Sequence, residues 1–141
     1  MIASASSRSR SDRSVGSATR QQAVVDFLRS MVLAPADQGE RFHAIFLDSA
    51  RAYLGDGTLG EGGAGSMSVR MRDVLGRALS LDADAIIIAH NHPSGECRPS
   101  QQDIKATDRL NMVAQALDID LLDHLIFTHD AVYSMRAGGK L

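Results

Sequence analysis

The segment that organises this chain reads Ala85-Ile86-Ile87-Ile88-Ala89-His90-Asn91-His92-Pro93. Its first five residues form an uninterrupted apolar run rich in β-branched side chains, which is typical of a strand buried on both faces. Side chains two positions apart on a strand point to the same side, so His90 and His92 should leave the strand end together while Asn91 faces away. Pro93 cannot donate to a sheet ladder, and it therefore ends the strand.

The residues after Pro93 predict a loop and then a helix that begins near Ser100. The Ser100 hydroxyl is suited to cap the first turn, because N-cap serines accept a hydrogen bond from a first-turn N–H group. Asp103 falls in that first turn and can face back toward the two imidazoles. Taken alone, Ser100-x-x-Asp103 is equally typical of an ordinary helix N-terminus that has no chemical role.

Two imidazoles and one carboxylate form the ligand set of a catalytic zinc ion, which keeps a fourth position open for water. Two neutral histidines and an ionised aspartate leave one net positive charge on the site. That charge lowers the pKa of a bound water molecule from about 15.7 toward about 7. The pattern therefore predicts Zn²⁺ as a cofactor, bound by His90, His92 and Asp103.

Cys97 lies in the loop between the histidines and the predicted helix. A fourth protein ligand would indicate a structural zinc site, and a nucleophilic cysteine would need a histidine base oriented by a third group. The zinc deaminases require His-x-Glu and Pro-Cys-x-x-Cys, which this sequence lacks. We interpret Cys97 as incidental.

The gapped pattern His90-x-His92-Pro93, six residues, Ser100-x-x-Asp103 resembles the JAMM motif of the JAB/MPN metalloprotease superfamily. The fuller string, with Asn91 where Ser or Thr is more usual, resembles the RadC branch. The resemblance spans about residues 20–136. Its further matching positions are Gly57-Thr58-Leu59, Arg72 before a helix, Thr107 on the next helix, and Leu122-Asp123-His124.

The resemblance implies an α/β fold, an MPN/JAB-like α/β/α sandwich with a mixed β-sheet. It also implies that Glu40, just before the first predicted strand, is the general base that takes a proton from the zinc-bound water and passes it to the leaving amine. Ser100 would support the tetrahedral oxyanion in addition to capping its helix. The residues alone would favour an exposed, inert Glu40, and Glu61 in a glycine-rich segment is a rival for the acid/base role.

The function implied by the resemblance is that of a zinc-dependent JAMM-type hydrolase, a metallopeptidase or isopeptidase that cleaves an amide bond in a peptide or protein conjugate with zinc-activated water. The alternative is a RadC-like module, associated with DNA repair, that binds or processes nucleic acid. Aromatic residues make up only 4% of the chain and its net charge is −2, which disfavours a broad nucleic-acid-binding surface. A non-catalytic scaffold of this superfamily would lack the metal ligands that are present here.

Periodicity predicts the remaining elements. The expected elements are a helix over 21–33, strands over 42–47, 52–59 and 67–69, a helix over 71–81, a helix over 100–117, and strands over 121–128 and 131–135. His43 is predicted to lie on the strand surface. Asp123-His124 is predicted either to orient a ligand histidine or to be a polar pair satisfied within its strand.

Composition predicts one folded domain over 21–141 after a disordered, Ser/Arg-rich segment over 1–20. Residues 1–20 carry four arginines and one aspartate, a net charge of +3, so the rest of the chain carries −5. Relatives in this branch usually have an N-terminal helix-hairpin-helix region, which residues 1–20 cannot supply, so we expect the JAB domain alone. The single cysteine, the lack of a secretory signal and the lack of a membrane-length apolar run predict a cytoplasmic protein.

Overall fold

The computed structural model describes residues 10–33, 39–61 and 67–141. Five strands form one sheet in the order β2-β1-β3-β4-β5. β3 and β4 are parallel and the other neighbouring pairs are antiparallel, so the sheet is mixed and the predicted α/β class is confirmed. The elements are α1 (Arg10–Leu33), β1 (Arg41–Leu47), β2 (Tyr53–Glu61), α2 (Met67–Ser80), β3 (Ala85–Asn91), α3 (Gln101–Ala116), β4 (Asp120–Phe127) and β5 (Val132–Ser134).

The sheet separates two apolar cores, and β3 contributes to both because its side chains alternate between the two faces. Ala85 and Ala89 face α1, where Leu28 and Val32 are buried against them. Ile86 and Ile88 face the opposite core, whose remaining members come from several elements. These include Phe46 of β1, Val74 and Ala78 of α2, and Leu110 and Ala114 of α3. Helices thus cover both faces of the sheet, as expected for an α/β/α sandwich.

The β3-α3-β4 connection places the start of α3 beside the carboxyl end of β3. Parallel neighbouring strands require a crossover, and here α3 supplies it. The strand therefore ends at the histidines, and the chain turns through a short loop directly into the helix that carries Asp103.

Helix α1 begins at Arg10, eleven residues earlier than the periodicity predicted. Residues 10–20 are helical where disorder was predicted, while residues 1–9 lie outside the described part of the chain. No proline interrupts 10–33, and helix propagation adds one hydrogen bond for each residue fixed, so a polar segment can extend a helix whose later turns are packed.

The predicted strand over 67–69 is wrong, because α2 already begins at Met67. Two apolar residues separated by one polar residue are too few to distinguish a period of 2 from a period of 3.6. Arg72, expected before a helix, consequently lies within α2. Most of the predicted glycine-rich connection, residues 62–66, lies outside the described residues.

Within the described ranges, none of the helices combines the length and the apolar character needed to cross a membrane.

Candidate metal centre

His90 and His92 meet at the carboxyl end of β3. Their Nε2 atoms lie 2.9 Å apart. His90 is fully buried, with its ring stacked on Phe42 of β1 at a centroid distance of 4.7 Å, whereas the side chain of His92 is 11% exposed. The strand geometry inferred from the sequence therefore places the two imidazoles together, one buried and one at the surface of the site.

Asp103 reaches the two histidines from the first turn of α3. Its Oδ2 lies 3.0 Å from His92 Nε2, and its Oδ1 lies 3.5 Å from His90 Nε2. Burial by itself raises the pKa of Asp103. The neighbouring His90, together with hydrogen bonds from the Ser100 backbone and hydroxyl, outweighs burial and holds that pKa well below its usual range. Asp103 is consequently a carboxylate at neutral pH.

Ser100 and Asp103 form a reciprocal capping box at the start of α3. The Asp103 N–H donates to Ser100 Oγ at 3.0 Å, and the Ser100 N–H donates to Asp103 Oδ2 at 3.0 Å. The predicted capping role of Ser100 is therefore present. Because Oδ2 also faces His92, the same box that starts the helix orients the carboxylate toward the histidines.

The tautomer of His92 follows from its other ring nitrogen. His92 Nδ1 lies 2.7 Å from the backbone oxygen of Glu96, and a carbonyl oxygen can only accept a hydrogen bond. Nδ1 of the neutral ring must therefore carry the proton, which leaves a lone pair on Nε2. That lone pair points toward His90 and the Asp103 carboxylate.

A buried chain of hydrogen bonds continues from His90 away from the site. His90 Nδ1 lies 2.6 Å from His124 Nε2, and His124 Nδ1 lies 2.7 Å from Thr107 Oγ1. The Thr107 hydroxyl donates to Met135 Sδ at 3.6 Å. When Thr107 donates to sulfur, His124 Nδ1–H donates to Thr107 and His90 Nδ1–H donates to His124, so His90 Nε2 is also left with a lone pair.

His124 is neutral in this chain. Its complete burial lowers its pKa well below the ordinary value and outweighs the Asp103 carboxylate, which acts in the opposite direction. Of the two alternatives for Asp123-His124, His124 is thus the residue that orients a histidine of the site. Asp123 serves the strand instead, since its carboxylate accepts hydrogen bonds from Ser134 Oγ and from the Arg136 N–H.

The donor atoms fit a divalent cation. Ligand atoms of a tetrahedral zinc ion with bonds of about 2.0–2.1 Å lie roughly 3.3 Å apart. The separations among His90, His92 and Asp103 run from 2.9 to 3.5 Å. Two lone pairs and one carboxylate that face each other at these distances need positive charge between them.

Glu40 lies next to this group although fifty residues separate it from His90. Ligand atoms of Glu40, His90 and His92 all lie within 4.8 Å of one another. Glu40 precedes β1, and β1 pairs with β3 so that Phe42 is opposite His90. Glu61, the rival, ends β2 opposite Arg41, and its side chain lies outside the described residues.

Two other predictions concern residues outside the metal-binding group. His43 was predicted to lie on the surface, which is wrong: it is 2% exposed, with Nε2 2.6 Å from Asp56 and Nδ1 3.1 Å from Thr58. The sequence could not show that Phe27 of α1 packs against the His43 ring. Cys97 is half-buried, and the metal-binding group found within the described residues does not include it.

Comparisons with known proteins assign the chain to a family. A sequence profile described as the RadC-like JAB domain matches residues 18–140. The chain belongs to the RadC-like JAB domain family. It is 40% identical over 121 residues to a UPF0758 protein of Rhodobacter capsulatus, covering 85% of this chain and 55% of that relative.

Other members of the RadC-like JAB family show similar identity. The UPF0758 protein YkfG of Escherichia coli K12 is 40% identical over 123 residues, which cover 87% of this chain and 77% of YkfG. A UPF0758 protein of Cupriavidus pinatubonensis is 39% identical over 119 residues, which cover 84% of this chain and 51% of the relative. The chain thus spans from about half to about three quarters of these relatives, whose names state no activity.

Proposed function

We propose that this RadC-like JAB domain is a zinc-dependent hydrolase of the JAMM type, a metallopeptidase or isopeptidase that cleaves an amide bond. The observation that carries the proposal is the convergence of His90 Nε2, His92 Nε2 and the Asp103 carboxylate within 2.9–3.5 Å of one another, with Glu40 alongside. Three protein ligands are typical of a catalytic zinc site and leave room for a reactant.

His90, His92 and Asp103 would hold the ion. A bound Zn²⁺ would supply Lewis acidity, lowering the pKa of a water molecule and polarising the substrate carbonyl. The ion and its three ligands would carry one net positive charge, and the neutral His124 orients His90 without adding a carboxylate behind it. A net positive site is the electrostatic condition that favours hydroxide over water at neutral pH.

Glu40 would be the general base. Its carboxylate takes the proton from the attacking water and then delivers it to the nitrogen of the leaving amine, so that one group serves both steps. Amide hydrolysis needs this second transfer, because an unprotonated amine anion is a very poor leaving group. The half-buried position of Glu40 beside the histidines suits a group that must reach both water and substrate.

Ser100 would donate a hydrogen bond to the oxyanion that forms at the substrate carbonyl. Its oxygen already accepts the Asp103 N–H, but a hydroxyl can accept and donate at the same time. Capping and oxyanion stabilisation are therefore compatible roles for one side chain. The exposed position of Ser100 leaves its O–H accessible to a substrate.

The experiment is a cleavage screen of the zinc-loaded protein with peptides and with isopeptide-linked conjugates, followed by Glu40→Gln. We expect the variant to retain about the wild-type zinc content and to lose turnover by about 10²-fold or more, because only the proton acceptor has been removed. The matched control is Asp108→Asn, which replaces an exposed carboxylate on α3 by an amide and should leave turnover unchanged. If Glu40→Gln keeps full activity and Glu61→Gln loses it, Glu61 is the general base. If the zinc-loaded wild type cleaves neither substrate class, the proposal is contradicted.

A further inference from the structure

Asn91 lies between the two histidines, and its side chain holds the backbone on both sides of Glu40. The Arg41 N–H donates to Asn91 Oδ1 at 2.6 Å, and Asn91 Nδ2 donates to the Gly39 carbonyl at 3.5 Å. Asn91 itself is only 7% exposed. The Asn91 amide is therefore hydrogen-bonded to the carbonyl of the residue before Glu40 and to the N–H group of the residue after it.

These contacts begin where the backbone ladder between β1 and β3 stops. The last antiparallel pair of that ladder is Phe42 with His90. One position beyond this pair, the Arg41 N–H donates to the Asn91 side chain and not to a backbone carbonyl of β3. The amide thereby extends the attachment of the Glu40 segment to β3 beyond the end of regular pairing, where a strand end would otherwise fray.

We infer that Asn91 is a positioning residue for Glu40. It fixes the backbone of Glu40 relative to its own neighbours in sequence, His90 at the end of β3 and His92 directly after it. The inference rests on the proposed function, in which Glu40 transfers the proton. Three successive residues at the end of β3, His90 to His92, would then set the distance between the base and the metal-binding histidines.

The residue type fits this role. An amide offers an acceptor and a donor in one rigid plane, so a single side chain can satisfy an N–H group and a carbonyl that face it. A general base must lie about 2.6–3.2 Å from the group whose proton it takes. A misplacement of about 1 Å can cost about 10²-fold in rate, so a small change in the Glu40 backbone would be measurable.

The test uses Asn91→Ala, Glu40→Gln and the double variant in the full chain loaded with Zn²⁺. With a peptide that the wild type cleaves, we expect Asn91→Ala to lower kcat by about 10- to 100-fold, with KM and zinc content unchanged. The double variant should be no slower than Glu40→Gln, because displacing the base has no effect once the base is absent. Asn111→Ala on α3 is the matched control.

A second readout does not depend on turnover. In the wild type the Arg41 amide should exchange slowly with solvent, and in Asn91→Ala it should exchange at least about 10-fold faster, while the ladder amides from Phe42 to Leu47 keep their protection. Asn91→Ser has a shorter side chain that cannot bridge the two backbone groups, so its Arg41 amide should exchange faster in the same way. This variant replaces Asn91→Ala in the test if the alanine variant does not fold.

Unchanged Arg41 exchange in both Asn91 variants, or a double variant in which the two losses multiply, would overturn the positioning role. If the wild type cleaves none of the peptides, the proposed function fails. The exchange measurement and crystal structures of the Asn91 variants, which should show Glu40 displaced from His90 and His92, would still decide the role of Asn91.

Discussion

At the scale of single residues, the site depends on which nitrogen of each histidine carries a proton. The Glu96 carbonyl forces the proton of His92 onto Nδ1, and the chain through His124 and Thr107 does the same for His90 when the Thr107 hydroxyl donates to Met135. Hydrogen-bonding partners beyond the ligands commonly select the tautomer of metal-binding histidines. Here that partner is a neutral imidazole, so it orients His90 without adding negative charge.

The ligand assignment predicts that His92→Ala and Asp103→Ala lose bound metal. Each change removes one of only three protein donors, so metal analysis after dialysis should find far less than one zinc per chain. His129→Ala and Asp108→Ala, at exposed positions, are matched controls that should keep stoichiometric zinc. Stoichiometric zinc in either site variant would refute the assignment.

The orientation of His90 predicts different outcomes for two substitutions at His124. His124→Leu removes the acceptor for His90 Nδ1–H and should weaken zinc binding by about 10- to 100-fold, measured by competition with a chromophoric chelator. His124→Gln retains an amide oxygen that can accept this hydrogen bond, and it should recover part of the affinity. Equal affinities in both variants would show that His124 only fills space.

At the scale of elements, the start of α3 and the carboxylate of the site depend on the same four residues. The capping box satisfies the first-turn N–H of Asp103 and at the same time holds the carboxylate that faces His92. The end of β3 is equally constrained, because Pro93 follows the histidines and the His92 N–H donates to Phe127 of β4 at 2.9 Å. A strand end and a helix start, joined by a short loop, therefore create the site.

Ser100→Ala tests this coupling. We expect it to lower the free energy of unfolding of the metal-free protein by about 1 kcal/mol, the usual cost of losing an N-cap hydroxyl, and to weaken zinc binding as well. Urea unfolding with and without Zn²⁺ measures both effects. The control is Ser80→Ala, whose hydroxyl donates to the Gly76 carbonyl at the end of α2 and which should leave zinc affinity unchanged.

At the scale of the whole molecule, the folded core contains a histidine that cannot readily become charged. The folded state holds the pKa of His124 well below its ordinary value of 6.5, because the ring is completely buried. Below about pH 6.5 the unfolded chain therefore binds a proton that the folded chain does not. Stability rises with pH wherever the unfolded state binds more protons, so the contribution of His124 is complete above this range and is lost as the pH falls toward the folded pKa.

The corresponding prediction concerns the slope of stability against pH. In the presence of a chelator, the unfolding free energy of the wild type should fall between about pH 6.5 and pH 5, and the fall should be smaller in His124→Gln, which has no group that titrates there. Denaturant titrations at several pH values give the two slopes. Parallel slopes in wild type and variant would mean that His124 is protonated in the folded state.

The sequence by itself determined the parts of this protein that depend on local geometry. The apolar run before the histidines predicted β3, the two-residue spacing placed His90 and His92 on one side, and the serine-aspartate spacing placed Asp103 in the first turn of α3. Covalent geometry and hydrogen-bond periodicity set these relations within about a dozen residues, so no distant contact was needed to find them.

The tertiary structure alone decided which distant residues join them. The approach of Glu40, the bracket formed by Asn91 and the orientation of His90 by His124 all follow from strand register, which pairs segments 34 to 50 residues apart. The burial of His43 also depends on distant residues, because α1 and β2 pack against it. Contacts of this kind leave no periodic signal in the chain, because register is set by the fit of the whole sheet between its two apolar cores.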